Sequence, residues 1–109
     1  MKLSGTPSNL HACWDDALGT ANDDHAAAIA AAHKLKAPTA TLAKITDEAF
    51  WIDESFQAAK THSYKQPIGV GDGPFTASTA YTHATAALAR KRVALAGARL
   101  AHALTDALK

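Results

Sequence analysis

Cysteine is nearly absent: Cys13 is the only one in 109 residues. A single thiol excludes an internal disulfide framework and a cysteine-rich zinc module. An excess of one charge sign is lacking too. Eleven Lys and Arg against ten Asp and Glu leave a formal charge of +1, which excludes a strongly basic nucleic-acid scaffold and an acidic tail. No apolar run approaches the roughly 18 residues of a membrane span. Residues 1–6 hold one Lys and no apolar stretch, so no signal peptide is visible in this chain. Large apolar side chains are also scarce. The apolar fraction is 48%, but 27 of those residues are Ala, and Leu, Ile, Val and Phe together number 19, or 17% of the chain. That is below the roughly 20% at which disorder becomes a concern, although the near-zero net charge argues against it. Ala buries little area at about 25 cal/mol per Å², so the core is thin for a free-standing domain. The length allows one domain, 1–109.

What is abundant is Ala, at a quarter of all positions, with few β-branched runs. This predicts helix nearly throughout, in an all-α fold of about five helices. Residues 1–8 contain Gly5 and Pro7 and read as an extended lead-in. Ser8 or Asn9 caps a short helix from about Leu10 to Leu18, stopped by Gly19. Asn22 and Asp23 cap a second from about Asp24 to Leu35, and Pro38 starts a helical turn over 39–45. Thr46 is the expected cap of a fourth helix, with Asp47 and Glu48 in its first turn, running to about His62. Trp51, Ser55, Ala58 and His62 share a stripe there, with Ile52, Phe56 and Ala59 beside it. Residues 63–75 hold Pro67, Gly69, Gly71, Gly73 and Pro74 and predict a loop. Its alternating glycines follow no strand, so they predict turns rather than a phosphate cradle. The last helix is expected from about Thr76 to Leu108. Val93, Gly97, Leu100 and Leu104 lie on one face, Leu88 and Leu95 on the opposite one. A helix with two apolar faces is sandwiched, which asks for more neighbours than this chain comfortably supplies.

Six His in so short a chain point to site chemistry. His11 and Asp15 are four apart, so a helix places both on one face with converging side chains. Imidazole and carboxylate are a partial donor set for zinc, which wants about four donors. The alternative is a surface hydrogen bond or ion pair. Glu54, in Trp51-Ile52-Asp53-Glu54-Ser55, is a candidate general base or ligand, or else a bridging residue. Gly97 within a helix costs about 1 kcal/mol against Ala. Its expected use is close helix approach, with Arg99 bonding a nearby carboxylate or carbonyl. Arg90, Lys91 and Arg92 form a basic cluster, read as a solvated face or as a phosphate contact. Asp23-Asp24-His25 does not converge on one ligand position in a helix. His33, His83 and His102 are isolated, and Cys13 is expected to be buried.

Three stretches come in a telling order. Asn9-Leu10-His11, two residues, then Trp14-Asp15 is followed by Trp51-x-x-Glu54-Ser55 with Ala58 and Tyr64. Tyr81 comes next, then Ala96-Gly97-x-Arg99-Leu100-Ala101 and Leu104. The pattern resembles the C-terminal part of the S1/P1 family of zinc-dependent single-strand nucleases, over nearly the whole chain. The resemblance implies an orthogonal helical bundle like the C-terminal portion of the phospholipase C and nuclease fold. It implies a cluster of three zinc ions and hydrolysis of phosphodiester bonds in single-stranded DNA and RNA, with 3′-nucleotides as further substrates. His11 and Asp15 are the implied metal ligands, and Asp16 is placed near the nucleotide pocket. Family members are more than twice this length and carry most of their ligands before this motif. The expectation is therefore a partial nuclease domain, inactive alone, with no catalytic residue assigned. Its implied partners are single-stranded nucleic acid or nucleotides, and no membrane. Location, by resemblance, is secreted or periplasmic. The rival expectation is a non-catalytic helical module that associates with itself as a homo-oligomer, motivated by the two-faced last helix and the thin core.

Overall fold

A computed structural model of the chain describes Leu3 and residues 9–18, 25–69 and 71–109. The rest of the expected lead-in, and the expected signals Ser8, Gly19, Asn22 and Asp23, lie outside the described residues. The architecture is all-α, as expected. Among the described residues five α-helices follow in order: α1 (Leu10–Asp15), α2 (His25–His33), α3 (Ala40–Ala43), α4 (Glu48–Ala58) and α5 (Thr79–Ala107). A single π-helical turn, Ala59–Ser63, continues α4. An isolated parallel bridge joins Leu3 and Phe75.

The starts of α1, α4 and α5 have a local cause. Asn9 is extended, and its side chain accepts from the Ala12 N–H at 2.7 Å. The fourth helix is capped by Asp47, not by Thr46. The Asp47 carboxylate accepts from the Ala49 N–H at 3.0 Å, and its carbonyl takes the first helical bond from Trp51. The last helix begins at Thr79 rather than Thr76. Phe75 is held in the bridge to Leu3 and Ala77 packs on the core, so this stretch is already committed when Ser78 accepts from the Tyr81 N–H at 3.0 Å. In the loop before it, Gly71 and Gly73 take positive φ of 111° and 78°. These are turn conformations that glycine adopts without strain.

The 29 residues of α5 span about 43 Å at 1.5 Å per residue and set the long axis of a body measuring 49 × 33 × 19 Å. The radius of gyration is 15.7 Å, against about 13 Å for a compact chain of this length. The core is correspondingly small. Leu3, Leu10, Cys13, Ile68 and Tyr81 form its buried centre, with Trp14, Phe75 and Ala77 packed against it. It lies where α1 and the loop meet the start of α5.

One face of α5 carries the burial: Tyr81, Thr85, Leu95 and Arg99. The other apolar face is bare, with Val93, Leu100 and Leu104 exposed by 51%, 60% and 53%. A Cβ built on Gly97 meets nothing within 4 Å, so the close helix approach expected there is not made among the described residues. The α4 stripe is also shallower than expected. Trp51 and Ala58 are half-buried, whereas Ser55, His62, Ile52 and Phe56 are exposed. α2 buries no residue at all.

Candidate metal-binding site

α1 turns Leu10 and Cys13 into the core and leaves Trp14 half-buried. At 100° per residue, His11 and Asp15 fall beside that face, towards solvent. Their side chains are 87% and 62% exposed, and His11 Nε2 lies 2.9 Å from Asp15 Oδ2. An exposed pair of this kind adds little to stability. Asp16 follows as the C-cap, its N–H donating to the Ala12 carbonyl at 2.9 Å and its side chain exposed. An open cavity of about 320 Å³ adjoins His11, walled by Trp14, Ala59, Ser63 and Tyr64.

Position on this surface is fixed from beneath. The Trp14 indole N–H donates to the Tyr81 hydroxyl at 3.0 Å, and that hydroxyl donates to the Ser63 carbonyl at 2.7 Å. The two rings meet edge to face, 6.3 Å apart. Tyr81 thus ties α1, the π turn and α5 together. π turns recur at functional sites because the extra residue re-aims the chain. Burial pushes the Tyr81 phenol up from its ordinary value. It also raises the Cys13 thiol, which behaves as a small apolar residue, as expected.

The donor geometry can be tested against zinc. Tetrahedral coordination with nitrogen and oxygen at roughly 2.0–2.2 Å sets two donors about 3.4 Å apart. The His11–Asp15 pair is closer than this, so a small rotamer change lets both reach one ion. Zinc wants about four donors, and among the described residues no group of three or more His, Cys, Asp or Glu is placed to hold a metal. The two residues fit one side of a zinc site. They do not fit a cluster of three ions.

The second candidate, Glu54, is neither free base nor open ligand. Arg99 grips both carboxylate oxygens, Nη1 at 2.8 Å and Nη2 at 3.0 Å. Arg92 bonds Oε1 as well and reaches Ser55 Oγ at 2.9 Å. The Arg99 bond, with the Arg92 bond and both positive charges, outweighs burial and holds the Glu54 carboxyl down at about 2. A carboxylate so stabilised is a poor proton acceptor near neutral pH. Arg99 is itself buried. It also donates to the Leu42 carbonyl at 3.3 Å and stacks over Trp51 at 5.6 Å. The expectation that Arg99 meets a carboxylate or a carbonyl is met by both. The pairing of Arg92 with Glu54 had no local signal, since the residues are 38 apart. It removes Arg92 from the uniform basic face expected with Arg90 and Lys91.

The family model for S1/P1 nuclease matches residues 1–109, the whole chain. The chain belongs to the S1/P1 nuclease family. No curated protein and no solved structure matches it. Membership supports a nuclease function in general, acting on nucleic acid, in a family that depends on zinc. Among the described residues no helix is long and apolar enough to cross a membrane.

Proposed function

We propose that this chain is the C-terminal portion of a zinc-dependent nuclease that hydrolyses phosphodiester bonds of single-stranded DNA and RNA, and 3′-nucleotides. The observation that carries the reading is the convergence of His11 and Asp15 beside an open, aromatic-walled cavity in a chain matched throughout by the nuclease family. His11 and Asp15 hold one zinc ion, and donors from outside the described residues complete its shell. Bound zinc polarises a phosphoryl oxygen and lowers the pKa of water. Trp14 and Tyr64 offer aromatic surface to a nucleobase, a sequence-tolerant contact, and Asp16, next to Asp15 in sequence, is a further substrate contact. Two donors make a weak site, so the chain alone is inactive. S1/P1 nucleases are generally secreted, which supports a secreted or periplasmic location for this chain.

Zinc binding to the purified chain, followed by native mass spectrometry and calorimetry, tests this. One weak site lost in both His11→Ala and Asp15→Ala is expected, with no hydrolysis of single-stranded DNA. Zinc binding indifferent to both substitutions overturns the metal assignment. Robust hydrolysis abolished by His11→Ala overturns the inactivity.

The bare face of α5 favours a second reading, a helical module that associates with itself. Val93, Leu100 and Leu104 are more than half exposed along a single line, and such patches mark interaction surfaces. Light scattering decides: a strict monomer over a wide concentration range removes it.

A further inference from the structure

Away from α1, the segment 36–42 crosses the middle of α5 and encloses an open cavity of about 420 Å³. That volume falls within the roughly 300–1,000 Å³ of small-molecule sites. Pro38, Leu42 and Leu95 give it an apolar wall, while Lys36, Lys91 and Arg92 stand on it as cations. The only carboxylate lining it is Glu54, and both of its oxygens are already held by arginine. The lining therefore carries three cations, one of them paired with Glu54, against that single acid, in a chain whose whole formal charge is +1. The side chains of Lys36 and Lys91 make no hydrogen bond or ion pair among the described residues. Thr39 also lines the cavity, and its side chain does not cap α3. Its hydroxyl is available to a ligand.

We propose that this cavity binds an organic phosphate monoester of nucleotide size. The phosphate sits between Lys36, Lys91 and Arg92 and accepts from Thr39, and the ring system lies on Pro38, Leu42 and Leu95. Charge-assisted bonds to phosphate are roughly twice as strong as neutral ones, and the apolar wall adds selection for a ligand with a flat body. Glu54, kept ionised by its two arginines, leaves Arg92 with donors to spare and orients it. The site stands apart from His11 and Asp15. Tyr81, under Trp14, and Lys91 are ten residues apart on α5, about 15 Å along the helix. It needs no metal, so its failure and the failure of the zinc reading are separate results.

Two sources supply this chemistry: a free mononucleotide and the phosphorylated 5′ end of a strand. NMR titration of the metal-free chain with 5′-AMP, adenosine, inorganic phosphate, and short DNA with and without a 5′-phosphate separates them. Shifts around Lys36, Leu42 and Lys91 are expected with 5′-AMP. Binding should be at least about tenfold weaker for adenosine and for inorganic phosphate and weaker at physiological than at low ionic strength. Tighter binding of 5′-phosphorylated DNA than of 5′-AMP assigns the strand end as the source, and the reverse assigns the free nucleotide. The exposed-residue variant Lys36→Ala/Lys91→Ala should weaken 5′-AMP about tenfold. Ala37→Trp should fill the cavity and do the same without removing charge. Equal binding of adenosine and 5′-AMP, binding unaffected by both cavity variants, or shifts confined to residues around His11 overturns the proposal.

Discussion

The first turns of α5 and its middle hold their neighbours by different means. Around Tyr81 the contacts are apolar: Leu3, Leu10, Cys13 and Ile68 close over the ring, and two hydrogen bonds fix the phenol. Around Arg99 the buried apolar neighbours shrink to Ala43 and Leu95, and a carboxylate gripped by two guanidiniums takes their place. The contrast follows from composition. A chain with few large aliphatic residues cannot fill both junctions, and the second is held by geometry that only one partner set satisfies. Such a junction is brittle, because removing one member leaves the other ionised and poorly solvated.

That brittleness predicts the largest effect. Arg99→Met should destabilise the chain by about 3 kcal/mol or more, lowering its thermal midpoint by roughly 12 °C or more. Thermal and urea unfolding would measure it. A loss smaller than that from disturbing the Tyr81 junction would reverse the ranking of the two regions.

The two junctions should also fail at opposite ends of the pH scale. Glu54 has an ordinary value of 4.5 and sits at about 2 in the folded chain. Its lowered pKa adds stability that is complete above about 4.5 and is lost as pH falls towards about 2, at most roughly 3 kcal/mol. Cys13 and Tyr81 are shifted upward by burial. Their contribution is complete below their ordinary values of 9.0 and 10.0 and is lost as pH rises through the higher folded ones. Each junction has its own tryptophan, Trp51 over Arg99 and Trp14 against Tyr81. In Trp14→Phe the remaining Trp51 fluorescence should change first in acid. In Trp51→Phe, Trp14 should change first in alkali. Identical titrations from both reporters would mean that the junctions unfold as one unit.

What was legible in the sequence divides along the same line. The helices, the Asn9 cap, the loop and the burial of Cys13 depend on neighbours in sequence, and local pattern is enough to read them. The His11–Asp15 pair is legible for the same reason, being one helical turn. The Glu54–Arg92–Arg99 knot joins residues 38 to 45 apart, and nothing in the spacing of two charged residues says which will meet. Trp14–Tyr81, 67 apart, is of the same kind. The Thr46 cap failed narrowly, because two capping residues stood side by side and the backbone of Asp47 took the first helical bond. The second apolar face of α5 is apolar as its spacing predicts, but what covers it is not a property of the helix's own periodicity.

A smaller effect should come from Tyr81→Phe. It keeps the ring and the apolar cluster but leaves the Trp14 N–H and the Ser63 carbonyl without their partner, a loss of about 1–3 kcal/mol. If Tyr81 also positions α1, zinc binding through His11 and Asp15 should weaken in this variant while Asn9→Ala, which loosens the same helix by about 1 kcal/mol, weakens it less. Equal zinc binding in wild type and Tyr81→Phe would reduce the tyrosine to a packing residue.

The smallest expected change carries the clearest sign. Gly97 sits mid-helix between Val93 and Leu100, and beyond its own stretch of helix backbone no atom among the described residues stands within 4 Å of an added Cβ. In a monomer with that face open, Gly97→Ala should stabilise α5 by about 0.5–1 kcal/mol, since Ala loses less backbone freedom on folding. If the face is instead closed by a second copy, the same methyl falls in the contact that a glycine permits, and the substitution should weaken association while leaving the dilute monomer more stable. Urea unfolding and sedimentation over a range of concentrations read both quantities from the same samples. A gain in stability with no change in association identifies Gly97 as an ordinary surface position. A gain coupled to a loss of association would show that the bare half of α5 is a third junction, held by apolar contact like the first but made between chains.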